Sequence, residues 1–360
     1  LIRHQKIMEE NRMLNSKTPR ILIARMSAIG DAILTMPVAC ALRAHFPGAF
    51  LGWVVEKKAA PMVREHPAVD EVIELERGWF TSLRGIRNTK AILRGYRFDT
   101  SIDCQGLTKS AMAGWLAGAR TRIGYLGKHG GEITPWLNNR FVQPTSSHIV
   151  DRSLELLRPL GIETPRVDWQ MPIPESARNW ASDWRRTLPA QRVAILNPGA
   201  TAASKMWEPD RFGQLAQIIH KRHGYRSVAV WGGARERQMA EWIVRHSGGT
   251  AMLAPDTNLH QLAALIDQSD LFVSGDTGPL HMAVALAVPT IGLYGSTRPG
   301  DSGPYQQIAL QNAYESGSRR HRRRADNTAM RQIHVSDVCA AIDKIHQSQT
   351  SQSQRRSLAA

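Results

Sequence analysis

Two doubly wound α/β domains facing each other across a ligand cleft are predicted by three observations. Short apolar runs alternate with amphipathic stretches along most of the 360 residues, the pattern of parallel strands joined by crossover helices. The alternation lapses in a proline-rich stretch at 162–174 and then resumes, which separates two halves of the same type. Several strand ends run into turns rich in Gly, Ser, Thr and Asp, where open α/β sheets present their ligand-binding loops.

Residues 1–19 are polar, mixed in charge and aperiodic, and are expected to form a disordered leader. The run RILIARM at 20–26 reads as the first strand. Its turn, 27–31, leads into a helix extending to about His45, with Ile33, Leu34, Val38, Ala41 and Leu42 on one face. Strands follow at 50–55, 72–75 and 100–103, with helices at 60–65 and 108–116 and a basic segment at 77–97. From 125 to 144 the pattern is irregular and Gly-rich, then a helix spans 148–160. These elements form a first domain, 20–174.

A Trp-bearing helix at 177–187 opens the second domain, 175–334. Strands at 193–197, 227–231 and 251–253 alternate there with helices at 209–223, 235–247 and 259–268. The stretch 271–299 carries the clearest signal. A buried strand breaks at Gly275-Asp276-Thr277-Gly278, a helix with Asp/Thr capping and an early Pro279 follows, and a second strand occupies 290–294. Such a turn aims free N–H groups and the positive helix end at a guest, most often phosphate. Beyond 308 the chain turns polar, and the arginine run at 319–324 reads as a flexible basic loop. A closing helix at 335–348 and a disordered Ser/Gln-rich tail at 349–360 complete the reading.

Composition narrows the class. A hydrophobic fraction of 42% suits a globular α/β protein, and no apolar run has the length of a membrane span. Three distant cysteines without metal spacing, and no signal-peptide pattern, point to a cytoplasmic protein with reduced thiols. The formal charge of +15 is concentrated in the 319–324 run, Arg355, Arg356 and the first nineteen residues, so the body is only moderately basic. No RNP, helix-turn-helix or zinc-finger pattern supports a nucleic-acid partner. No G-x-G-x-x-G follows the first strand, no H-E-x-x-H or Cys/His cluster indicates a metal, and the 105–110 stretch lacks the glycines of a P-loop.

Among chemistry-bearing residues, Asp31 lies just past the first strand, where a carboxylate can accept a proton from a sugar hydroxyl or simply cap its helix. Lys205, in the loop after the 193–197 strand, can meet a departing diphosphate, with Thr201 nearby, although loop lysines are usually solvated. Glu236 can hold ribose hydroxyls or act as a helix-start acid. His281 can donate one N–H to a phosphate oxygen. Arg84, Arg87 and Lys90 belong to a segment that either touches an anionic acceptor or forms a solvated helix face. Trp207 reads as a packing anchor.

Three motifs together resemble the ADP-heptose:lipopolysaccharide heptosyltransferases, glycosyltransferase family 9. They are Ser27-Ala28-Ile29-Gly30-Asp31, Asn197-Pro198-Gly199-Ala200 with Lys205-Met206-Trp207, and Gly275-Asp276-Thr277-Gly278-Pro279-Leu280-His281. The likeness spans about 20–305. Trp53-Val54-Val55-Glu56 and Asp103 to Ser110 look more like heptosyltransferase I than II. The resemblance implies a GT-B fold of two Rossmann-like domains and metal-independent, cofactor-free inverting transfer of heptose from ADP-heptose, itself a substrate. Asp31 would be the general base and Lys205 would stabilise leaving ADP. Thr201, Glu236, Asp276, Thr277, Gly278 and His281 would bind the donor. Ser27, Arg84, Arg87 and Lys90 would contact the acceptor, a Kdo–lipid A at the inner face of the inner membrane. A monomer with no nucleic-acid partner is expected. The alternatives are a related transferase using another nucleotide sugar, heptosyltransferase II, or a non-catalytic nucleotide- or glycan-binding protein.

Overall fold

The computed structural model describes residues 18–131, 133–188 and 192–359. These divide into two compact units, one ending at Pro172 and the other beginning at Ile173. Of the expected leader, only Thr18 and Pro19 fall among the described residues, and the Pro19 carbonyl accepts the Phe50 N–H at 2.8 Å.

The first unit contains β1 (Arg20–Ala24), α1 (Ile29–Ile33), α2 (Met36–His45), β2 (Phe50–Glu56), β3 (Glu71–Leu75), α3 (Leu83–Gly95) and β4 (Thr100–Asp103). It continues through α4 (Thr108–Ala117), β5 (Thr121–Tyr125), α5 (Thr134–Leu137), β6 (Arg140–Val142) and α6 (Ile149–Glu155). Its six strands are all parallel, in the order β3-β2-β1-β4-β5-β6. Strand order reverses between β1 and β4, so the loops leaving their carboxyl ends splay apart and open a crevice. Leu22, Val54, Ile73, Leu93, Phe98 and Leu116 pack the core between sheet and helices.

The second unit comprises α7 (Glu175–Arg186), β7 (Arg192–Asn197), α8 (Pro209–His223), β8 (Tyr225–Ala229), α9 (Ala234–Arg245), β9 (Ala251–Leu253) and α10 (Leu259–Asp267). Then come β10 (Leu271–Gly275), α11 (Gly278–Ala285), β11 (Thr290–Leu293), α12 (Pro299–Ser302), β12 (Ile308–Leu310), α13 (Arg319–Arg324), α14 (Thr328–Arg331) and α15 (Val335–Ala359). Its parallel sheet, β12-β11-β10-β7-β8-β9, repeats the topology of the first, with the reversal between β7 and β10. Leu196, Phe212, Tyr225, Val273, Ile291 and Ile342 are buried in its core. Trp207 is buried there too. Its indole N–H donates to the Ile333 carbonyl at 2.9 Å and its ring meets Phe212 edge-on, as a packing anchor should.

Five expectations need correction. The single helix expected from Asp31 to His45 is two helices, because Pro37 enters the first turn of α2 and has no N–H to continue the α1 ladder. The irregular 125–144 stretch holds β6 and α5, and the polar stretch past 308 holds β12. The arginine run is the helix α13 rather than a loop. The closing helix runs to Ala359 instead of stopping at 348, so the tail expected to be disordered is helical as far as it is described.

Candidate functional site

In the first unit, Arg25 follows β1 directly, and its side chain is only 6% exposed. One guanidinium nitrogen, Nη1, donates to the Cys104 carbonyl at 2.5 Å, and Nη2 pairs with Asp31 Oδ1 at 2.9 Å. The Ala28 N–H donates to the other Asp31 oxygen at 3.0 Å, so Asp31 is indeed a helix-start acid. It is also a fixed and reachable carboxylate. Its side chain is 40% exposed, and each oxygen keeps a second lone pair for an incoming donor. A buried guanidinium is tolerated only with such partners.

Ser27 joins the same cluster. Its hydroxyl accepts from Lys109 Nζ at 2.9 Å and from Gln105 Nε2 at 3.3 Å, while Lys109 also pairs with Glu56 at the end of β2. Gln105 Oε1 accepts the Met26 N–H at 3.0 Å. Asp103, buried at the end of β4, accepts the N–H groups of Gln105 at 3.1 Å and Gly106 at 2.8 Å. Burial pushes its carboxyl upward despite those donors. The ends of β1, β2 and β4 are thereby laced into one polar platform around Asp31.

Sequence reasoning singled out Asp31 and Ser27 but not Arg25, Glu56 and Lys109, which the structure places beside them. The available signal was an arginine ending an otherwise apolar strand. Arg84, Arg87 and Lys90 lie exposed on α3 and, among the described residues, make no hydrogen bond or ion pair with this cluster.

The second unit builds its group where β7 and β10 diverge. Asn197, ending β7, donates from Nδ2 to Ser274 Oγ at 2.9 Å and to Thr277 Oγ1 at 3.2 Å; these two hydroxyls are 3.0 Å apart. Thr277 is the N-cap residue of α11, but its side chain makes no capping bond, contrary to the capping expected from sequence. The network with Asn197 holds its hydroxyl instead. The N–H groups of the first α11 turn, starting at Gly278, are therefore left without a side-chain cap.

Lys205 stands at the same place. Its ammonium lies 2.5 Å from Asp276 Oδ2. Burial works against ionising Asp276, but the nearby His281 and Lys205 outweigh it and hold the carboxyl well below its ordinary value. His281 stands beside the same carboxylate. Its side chain is 6% exposed, with Nε2 turned toward Asp276 Oδ1 at 3.8 Å, so it braces the carboxylate.

Two close approaches explain the glycines. A Cβ on Gly275 would lie 2.4 Å from the Lys205 carbonyl oxygen, and one on Gly199 would lie 2.4 Å from Glu236 Cδ. The missing side chains let the Lys205 turn and the Glu236 carboxylate settle against the strand ends. Glu236 also accepts the Gly232 N–H at 2.8 Å, which joins the turns after β7 and β8. Thr201 is exposed on the same loop.

Residues beyond the expected motifs buttress this loop. Ser204 donates to the Arg322 carbonyl at 2.7 Å, and Ser296 donates to Ser204 Oγ at 3.0 Å. Arg322 Nη1 donates to the Ser296 carbonyl at 3.0 Å and to Tyr314 Oη at 2.8 Å. The arginine helix thus underpins the turn that carries Lys205. No cysteine competes as a nucleophile, since burial pushes the Cys40 and Cys104 thiols up to about 12 and raises that of Cys339 as well.

Two Rossmann-like units of this strand order make the GT-B fold. Residues 86–330 match the sequence profile of glycosyltransferase family 9 (heptosyltransferase), and the chain belongs to that family. It is 31% identical over 301 residues to lipopolysaccharide heptosyltransferase 1 of Pseudomonas aeruginosa, covering 79% of this chain and 81% of that protein. A family 9 glycosyl transferase of Veillonella parvula has the same fold, with TM-score 0.78 and 22% identity over 91% of this chain and 97% of that one. The Escherichia coli heptosyltransferase WaaC, solved with ADP, also shares it, with TM-score 0.71 and 23% identity over 91% of this chain and 98% of that one.

Proposed function

We propose that this glycosyltransferase moves L-glycero-D-manno-heptose from ADP-heptose to the Kdo inner core of a lipid A-anchored acceptor, with inversion at the anomeric carbon. Asp31 takes the proton of the acceptor hydroxyl. That oxygen bonds to the anomeric carbon while the bond to the diphosphate oxygen breaks, and ADP departs with the electron pair. Lys205 keeps two N–H donors beyond the one spent on Asp276, and these meet the charge growing on the diphosphate together with the α11 N-terminus. Glu236, beside Gly199, holds the ribose hydroxyls. His281 fixes Asp276, and Thr201 and Thr277 line the donor side. This chemistry calls on no metal and no cofactor. Ser27 contacts the acceptor beside Asp31.

The observation that carries the reading is the Lys205 ammonium, held by Asp276 beside the uncapped start of α11, whose free N–H groups suit a diphosphate. The choice of first-heptose transfer is supported by the 31% identity to the P. aeruginosa heptosyltransferase 1 and by the Trp53–Glu56 and Asp103–Ser110 motifs. The choice of donor is supported by the ADP in the WaaC structure. The enzyme would work from the cytoplasmic side, at the surface holding its acceptor, as a monomer. Among the described residues no helix is long and apolar enough to cross a membrane.

A donor panel of ADP-, UDP- and GDP-sugars, scored for nucleotide release with a Kdo–lipid A acceptor, tests this. ADP-heptose should be turned over far faster than the others. Preferred release of UDP or GDP would replace the donor assignment.

A further inference from the structure

We propose that Arg25 is a positioning residue that aims Asp31, and that Trp53 and the turn after β4 hold Arg25 in place. The inference deepens the reading above: it rests on Asp31 as the base and names what fixes that carboxylate. Both anchors lie in the stretches 53–56 and 103–110, which the sequence singles out and to which the transfer above gives no task.

Strand β1 lies between β2 and β4, with Ile23 opposite Trp53 and Ala24 opposite Asp103. Arg25 comes next, so its backbone and its side chain meet both neighbours. On one side the buried Trp53 indole N–H donates to the Arg25 carbonyl at 3.1 Å. The following carbonyl, of Met26, accepts the Glu56 N–H at 2.9 Å, so β2 grips the chain through the exit of β1. On the other side Arg25 Nη1 donates to the Cys104 carbonyl at 2.5 Å. Anchors on opposite strands leave the guanidinium little freedom, and its Nη2 lies 2.9 Å from Asp31 Oδ1. With the Ala28 N–H on the other oxygen at 3.0 Å, each carboxylate oxygen has its own donor. The carboxylate plane is therefore set before an acceptor hydroxyl arrives, and such pre-orientation lowers the barrier.

Arg25 acts through Asp31 and not on the substrate, because its side chain is only 6% exposed. As a staple for the fold alone it is a poor choice. Its Nε is buried and finds no hydrogen-bond partner among the described residues, so part of the desolvation cost of the guanidinium goes unmet. An apolar side chain of similar volume often serves stability as well as a buried ion pair does. What an apolar side chain lacks is a rigid, planar fork that spans a carbonyl and a carboxylate together. A lysine ammonium would be a single point charge on a flexible stem. The guanidinium thus ties the orientation of Asp31 to the ends of β2 and β4, the most rigid parts of the site.

The test is a double-mutant cycle in the full chain, read as kcat and donor KM for ADP release from ADP-heptose with a Kdo–lipid A acceptor. Arg25→Met should lower kcat roughly 10–100-fold while donor KM stays within about twofold of wild type. In an Asp31→Asn background the same change should cost less than about twofold in kcat, because no base is left to aim. Arg25→Lys, which reaches one acceptor at a time, should recover part of the lost kcat. Trp53→Phe keeps a ring but removes the N–H, and should lower kcat several-fold in the wild-type background and not in Asp31→Asn. Should Arg25→Met fail to fold, Arg25→Lys and Trp53→Phe carry the same cycle. Equal losses in both backgrounds overturn the proposal and leave Arg25 a structural residue. An unchanged kcat for Arg25→Met, or a loss seen only in donor KM, overturns it too, and in all three cases Asp31 stands as the base. Wild-type turnover by Asp31→Asn instead removes the base itself, and the proposal falls with it.

Discussion

At the scale of single residues, Asp31 and Asp276 are two carboxylates with opposite surroundings. Asp31 is exposed and shared between Arg25 and a backbone N–H, whereas Asp276 is enclosed by Lys205 and His281. Asp31→Asn keeps an acceptor for the Ala28 N–H but removes the base. Turnover should fall by roughly 10²–10⁴, the usual worth of general base catalysis, with donor KM within about twofold of wild type. Stability should drop on the order of 1–2 kcal/mol, because Arg25 stays buried without its partner while the exposure of Asp31 weakens the pair. Steady-state kinetics and denaturant melts separate the two effects.

For Asp276 the folded carboxyl titrates below its ordinary value of 3.8. The unfolded chain therefore binds the extra proton first as pH falls. The stabilisation is complete above that value and is lost as acid drives protonation of the folded form. Urea midpoints measured from about pH 5 to about pH 2 should fall more steeply for wild type than for Asp276→Asn. Parallel slopes would remove Asp276 from the acid response.

At the scale of elements, the donor group depends on a turn pressed against a strand end. Gly275→Ala places a methyl 2.4 Å from the Lys205 carbonyl. With no positive φ at this position, the steric effect stands alone. The turn must move, costing about 1–3 kcal/mol, and donor KM should rise about fivefold or more, by the conversion of 1.4 kcal/mol per decade. Gly48→Ala, with open space around its Cβ, serves as the silent comparison. Arg322 braces the other side of that turn through Ser204, Ser296 and Tyr314. Arg322→Ala should raise donor KM with a smaller change in kcat, whereas the exposed neighbour Arg323→Ala should change neither. Equal kinetics for both variants would show that α13 does not support Lys205.

At the scale of the whole molecule, the central strands were legible because burial on both faces demands continuous apolar runs, as in RILIA and LFVSG. Strands β5, β6 and β12 were not, since each is short and set among polar residues, as in NNRFVQ and QQIALQN, although the equally short β9 was legible. Asp31, Lys205 and Asp276 could be singled out because each lies in a segment that leaves the carboxyl end of a strand, Asp276 directly, Asp31 in α1 and Lys205 in the helical turn Ala203–Lys205. Their partners could not. Arg25 reaches a carbonyl 79 positions away, Lys109 reaches Glu56 across 53 and Ser204 reaches Arg322 across 118. Only the folded chain shows such pairings. Local sequence likewise does not show that the His281 ring stands beside Asp276.

The proposed transfer needs a base carried by one Rossmann-like unit and a diphosphate cradle carried by the other. The most direct measurement is a time course of ADP release and of heptosylated product, by mass spectrometry, with ADP-heptose and a Kdo–lipid A acceptor. Wild type should give ADP and product in equal amounts, and Asp31→Asn should bind donor while giving almost neither. Saturable donor binding by wild type without ADP release, or product formation by Asp31→Asn at the wild-type rate, would contradict the account.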